Sequence, residues 1–249
     1  MFWNALSSFE IFQEKLMNSL YLWLNIGSIS VPFLFSFHPR LKFYKKWKSL
    51  FLGILVMMAI FIPWDIFFTE NGFWGFNPDY LTGYYLLGLP IEEWMFFICI
   101  PYACLFTHYA LLELSSKFHF GVMATNIIIV SLVTVLIIIL WYNYDRWYTL
   151  TCFIYALLLL GIVQSYRKEM LQSFFATYLI ILIPFFLVNG VLTGSGIDDQ
   201  VVWYNNDENL SLRILTIPVE DTIYNLGMLL TVYVVMEALE KRSGRKRIT

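Results

Sequence analysis

The sequence predicts an all-α integral membrane protein of about seven transmembrane helices, arranged as two parallel three-helix repeats joined by a linking helix. Three observations predict it. The 249 residues are 59% hydrophobic and only 14% charged, with a mean hydropathy of +0.66; one soluble core of this size cannot hide so much apolar surface. The apolar residues fall in runs of roughly 17–22, the length that crosses a hydrocarbon layer of about 30 Å as helix. The two halves of the chain also repeat one pattern of polar residues. No alternating ten-residue pattern suggests a barrel.

In chain order, spans are expected at Ser19–Phe37, Ser49–Phe68, Pro90–Leu112, Phe120–Trp141, Trp147–Tyr166, Ser173–Thr193 and Pro218–Leu239. Ahead of the first run stand Glu10 and Glu14, where a cleavable signal would have a basic start, so no signal peptide is expected. The connections hold the charge. Arg40, Lys42, Lys45, Lys46 and Lys48 follow span one, Lys117 follows span three, Arg167 and Lys168 follow span five, and Lys241, Arg242, Arg245, Lys246 and Arg247 form the tail. Thirteen of the 16 basic residues thus share one side, and Lys15, Arg146 and Arg213 fall on the other. Positive-inside bias then places the N-terminus outside and the C-terminus in the cytoplasm, with a bacterial cytoplasmic membrane as the expected setting. A net charge of −2 implies no nucleic-acid partner.

The repeat is read by self-comparison. The first half carries IPWDIFFTENGFWGFNP and then LPIEEWMFF; the second carries FLVNGVLTGSGIDDQVVWYN and then IPVEDTIYN. Asp65, Thr69 and Gly72 match Asn189, Thr193 and Gly196 in spacing, Trp74 and Asn77 have loose counterparts in Trp203 and Asn205, and Pro90-Ile91-Glu92-Glu93 answers Pro218-Val219-Glu220-Asp221. The repeats therefore occupy residues 1–113 and 147–249, with 114–146 as the linking helix. Displacing a unit by four spans preserves its direction, and parallel repeats of this kind often hold a site at their interface.

Acids in the first turn of a helix are favoured by its dipole, which alone explains many such residues. Two matched acid pairs, each beside aromatics and an acid or amide from another span, point further. Asp65 inside a span costs about 2.5–3.5 kcal/mol on insertion scales and is a functional candidate by default. Adjacent residues at a helix start point about 100° apart, so only one of each acid pair need face the interior. The candidate catalytic set is Glu92, Glu93, Glu220, Asp221 and Asp65. Candidate substrate contacts are Trp64, Phe68, Trp74, Asn77, Trp94, Phe96, Asn189, Trp203 and Tyr224; some of the aromatics also suit an interfacial belt, and Asn77 and Asn205 also suit turn caps. Cys99, Cys104 and Cys152 match neither a zinc nor a redox spacing, and His38, His108 and His119 are scattered, so no metal site is expected.

The segment PWDxFFTxxGxWGFNP followed by LPIEEWMFF, repeated as NGxLTG with PVEDxxYNxGM, resembles the membrane-embedded lycopene cyclase family, with both halves on one chain over roughly residues 18–240. The departure is the unequal Asp65/Asn189 pair. The resemblance implies a redox-neutral cyclisation of the acyclic end group of lycopene, or a related carotenoid, into a β-ionone ring. A general acid protonates the terminal double bond, an internal double bond attacks the carbocation, and a base removes a proton. It implies a carotenoid and membrane lipid as partners and no cofactor; the chain has no glycine-rich dinucleotide loop after a strand. No DxDD or DDxxD motif appears, which argues against diphosphate-binding terpene chemistry. A retinal photoreceptor fails because the last span lacks a lysine. A proton-coupled transporter suits intramembrane acids on parallel repeats, and a hydratase of the same end group shares the cation.

Overall fold

A computed structural model describes residues 18–115, 118–242 and 244. Glu10, Glu14, Lys15, Lys117, Arg245, Lys246 and Arg247 lie outside the described residues, so they carry no structural account of the charge pattern. Among the described residues the chain forms six α-helices: α1 (Leu20–Phe35), α2 (Trp47–Glu70), α3 (Ile91–Leu114), α4 (Val122–Tyr142), α5 (Trp147–Leu192) and α6 (Val219–Arg242). Five are long and apolar enough to cross a membrane; α1, at 16 residues, is shorter. Helix α5 joins in one run what the sequence divides into two spans. At 46 residues a straight helix would reach about 69 Å, over twice the hydrocarbon thickness. It is not straight: Arg167, with φ −154° and ψ 48°, breaks the helical path between its two limbs.

Helix α2 packs along α6, α1 along α3, and α6 along α5, while α4 lies against α5. Helix α4 buries few residues, Thr125, Ile129 and Leu136 among them, and the rest of it is mostly apolar, as suits lipid contact. Helices α2 and α6 approach closely at Gly53, where a Cβ would lie 2.9 Å from the Val232 carbonyl. At the end of α2 near Trp47, Lys46 pairs with Glu240 at 3.6 Å and Ser49 donates to the same carboxylate.

At the other end of α2, where Asp65 sits, the connections fold back as short strands too brief for an alternating pattern to announce: β1 (Trp74–Phe76), β2 (Tyr85–Leu86), β3 (Leu89–Pro90), β4 (Val202–Tyr204), β5 (Arg213–Ile214) and β6 (Ile217–Pro218). The two hairpins β2–β3 and β5–β6 match: Tyr85 faces Pro90 and Arg213 faces Pro218, and both tips place a leucine at positive φ, Leu87 at 52° and Leu215 at 59°. Strands β1 and β4 pair antiparallel with Gly75 opposite Trp203.

The loops repeat at an offset of 128 residues. Thr82 N–H donates to Glu92 Oε1 and Leu210 N–H to Glu220 Oε1, both at 2.7 Å. Asn77 N–H donates to the Val201 carbonyl, and Asn205 N–H to that of Phe73. Gly75 and Trp203 are themselves that offset apart, so their pairing is the register a two-fold relation between the halves requires. Along α2 and the second limb of α5 the offset is 124: Leu50, Gly53, Ile54, Met57, Phe61, Asp65 and Phe68 are buried, and so are Phe174, Thr177, Tyr178, Ile181, Phe185, Asn189 and Leu192. By the loop offset of 128, Val202, not Trp203, stands where Trp74 stands in the first half.

Candidate active site

The ends of α1, α2, α3, α5 and α6 surround a recess with about 580 Å³ of space, part of it open to the outside. Asp65, Glu93 and Asp221 all face it, together with Asn189, and its walls are largely aromatic and apolar: Trp74, Phe76, Phe96, Phe185, Tyr224 and Met228. Asp65 comes from the last turns of α2, and Glu93 and Asp221 from the first turns of α3 and α6.

The first-turn pairs divide their labour. Glu93 and Asp221 line the cavity, whereas Glu92 and Glu220 are fully buried beside it and point into the loops. Glu92 Oε1 accepts from both the backbone N–H and the hydroxyl of Thr82, at 2.7 and 2.6 Å. Glu220 Oε1 accepts from Leu210 N–H and from the Thr149 hydroxyl at 2.6 Å. These two acids fasten each hairpin connection to the helix it precedes, because a buried carboxylate is tolerated only with donors to meet it. The 100° step between neighbours in a helix is what sends one acid inward and the other back to the loop.

Each cavity acid has its own donors. Tyr21 Oη donates to Glu93 Oε2, and Trp74 Nε1 to Asp65 Oδ1 at 2.6 Å. Asp221 accepts three hydrogen bonds, from Tyr148 Oη at 2.6 Å, Tyr204 Oη at 3.0 Å and Asn189 Nδ2 at 3.1 Å. Tyr204 lies on β4, outside the spanning helices; burial first, and then the Asp221 carboxylate beside it, push its phenol well above the ordinary value. Among the described residues the one ion pair, Lys46–Glu240, is at the far end of α2, so no basic partner neutralises the cavity acids by direct contact. No group of three His, Cys, Asp or Glu side chains among the described residues is arranged to hold a metal ion.

Of the other expected contacts, Trp74, Phe96, Asn189 and Tyr224 face the cavity. Trp64 and Phe68 do not: Trp64 packs on Tyr224 with ring centres 5.2 Å apart, and Phe68 packs on Trp74 at 4.9 Å. Asn77 caps the short turn Pro78–Tyr80 by accepting from Asp79 N–H at 3.0 Å, and Asn205 does the same for Asp207. Trp94 donates to the Leu86 carbonyl of its hairpin, and Trp203 is 41% exposed, its ring lying over Gly75. Sequence reasoning missed the tyrosines. Tyr21 and Tyr148 open the first helix of each half, 72 and 73 residues before the acids they meet, and that matched distance is the signal that would have found them.

A family model described as lycopene cyclase matches residues 18–112 and 143–239. The two matched segments contain every cavity residue and leave the whole of α4 between them. No curated protein and no solved structure matches the chain.

Proposed function

The chain belongs to the lycopene cyclase family, and from that premise we propose that it closes β-ionone rings on an acyclic carotenoid by proton transfer within the cavity of Asp65, Glu93 and Asp221. The observation that carries this is the convergence of three carboxyl groups, one from each of three helices, on a single aromatic-lined recess.

Ring closure needs one proton delivered and one removed. Glu93 suits delivery: its carboxyl, held by Tyr21, protonates the terminal double bond and leaves a tertiary carbocation. The internal double bond attacks that centre, forming the ring C–C bond and moving the positive charge onto the ring. Asp221 suits removal. Three donors stabilise it as a carboxylate, and it takes the ring proton whose electron pair becomes the new double bond. Asp65 beside them shares a proton between the two and resets the pair. The product is an isomer of the substrate, so no oxidant or reductant is consumed. The faces of Trp74, Phe96 and Tyr224 stabilise the passing cation, and fixed groups aimed at developing charge are the strongest aid an enclosed site offers. Seven crossings, counting the two limbs of α5 and the short α1, with the cavity at the outer face, complete this reading; the substrate then arrives sideways from the bilayer.

The test is expression in cells that accumulate lycopene, with pigment identified by chromatography and mass spectrometry. An isomeric product with altered absorption supports the reading. A product heavier by one water moves it to hydration of the same cation, and unaltered lycopene beside folded protein overturns it.

A further inference from the structure

The matched walls of the cavity differ in bulk. At the offset that pairs Asp65 with Asn189, Phe68 pairs with Leu192 and Trp64 with Val188; at the loop offset, Trp74 pairs with Val202. These three aromatics of the first half correspond to aliphatics in the second. The first set fills its space. Phe61 meets Tyr224 with ring centres 4.9 Å apart, Trp64 meets the same ring, and Phe68 lies on Trp74. Their counterparts Phe185 and Phe96 instead both line the open recess, as do Leu192 and Val202. An interior packed with interdigitating rings leaves no room for a ligand, so the recess reaches past Phe185 and Leu192 but stops short of their counterparts Phe61 and Phe68, with Asp221, Trp74 and Tyr224 as its wall on that side.

We propose that the carotenoid end group extends into the lobe between α1, α3 and the second limb of α5, with Leu192 and Val202 setting its size, and that Phe61, Trp64 and Phe68, packed behind Trp74 and Tyr224, seal the matching lobe between α2 and α6. This rests on the cyclase reading. It places Glu93, on α3, nearest the arriving double bond and keeps Asp221 facing the end group from the opposite wall of the recess. It also makes the two halves unequal for a steric reason, separate from the Asp65/Asn189 difference.

The test uses the full chain in lipid nanodiscs with lycopene. Leu192→Phe and Val202→Trp each place the first-half residue in the open lobe and lower kcat/KM by about tenfold or more, since a pocket discriminates against even small excess bulk. Unchanged turnover in both variants overturns the proposal. A second measurement does not depend on those variants folding with a larger side chain. Leu192→Cys and Phe68→Cys, each in a chain whose native Cys99, Cys104 and Cys152 are replaced by alanine, are labelled with a lipid-soluble thiol reagent, with and without lycopene. Lycopene is expected to slow labelling at position 192 and not at 68, and any other pattern overturns the proposal. Lycopene protection of position 192 in the Leu192→Cys variant, beside wild-type protein that makes no ring, would sink the cyclase reading while leaving the lobe assignment standing.

Discussion

Tyr148 donates its phenolic hydrogen to Asp221 at 2.6 Å, across the packing of α5 on α6. Losing a hydrogen bond to a charged acceptor costs about 1.5–3 kcal/mol, or roughly 10–150-fold if it acts in the rate-limiting step. Tyr148→Phe is therefore expected to slow ring formation at least about tenfold, and Tyr204→Phe, whose bond is 3.0 Å, to slow it less. The phenol of Tyr204 is raised above its ordinary value, so it remains a donor through the whole neutral and mildly alkaline range. A raised group gives stability that is intact below its unfolded value of about 10 and is lost as pH rises through the higher folded value. Thermal unfolding of wild type and Tyr204→Phe should differ below pH 10 and converge above it.

Asn189 donates to Asp221 where its counterpart Asp65 accepts from Trp74. Asn189→Asp exchanges that donor for a like charge in a site without a basic contact. It is expected to reduce cyclised pigment by about tenfold or more. Asp65→Asn keeps an oxygen to accept the indole N–H but cannot pass a proton between Glu93 and Asp221, so it is expected to reduce cyclised pigment as well. Chromatographic ratios of cyclised to acyclic carotenoid, normalised to protein in the membrane, check both.

Gly75 lies under Trp203, and a Cβ there would come within 2.4 Å of its ring. Gly75→Ala must displace the indole where β1 and β4 join the halves, at a cost of about 1–3 kcal/mol. A lower unfolding temperature is expected in a fluorescence-detected melt. Adding Trp203→Ala to Gly75→Ala should recover most of the loss, because the clash is with that ring alone.

Much of this was readable beforehand. Proline followed by two acids marked the starts of α3 and α6, and Asp65 stood out because a carboxyl in an apolar run is costly. What could not be read was which acid of each pair turned inward. Glu92 and Glu93 have the same composition and neighbours, and only the Thr82 N–H supplied by the folded loop separates them. Tyr21 and Tyr148 were hidden because a tyrosine at the end of an apolar run looks like any interfacial residue. The boundary after Tyr166 was blurred for another reason. Arg167 and Lys168 signal a loop, yet the backbone turns there at one residue and helix continues on both sides.

The central claim is that Glu93 and Asp221 handle protons while Glu92 and Glu220 hold the loops, and four near-isosteric variants separate these roles. In lycopene-accumulating cells, at matched protein levels, Glu93→Gln and Asp221→Asn should each leave lycopene uncyclised. Glu92→Gln and Glu220→Gln keep the accepting oxygen and should still form rings, with their loss appearing as reduced thermal stability. Full ring formation by Glu93→Gln or Asp221→Asn, or complete silence of Glu92→Gln and Glu220→Gln in stably folded protein, would contradict the assignment.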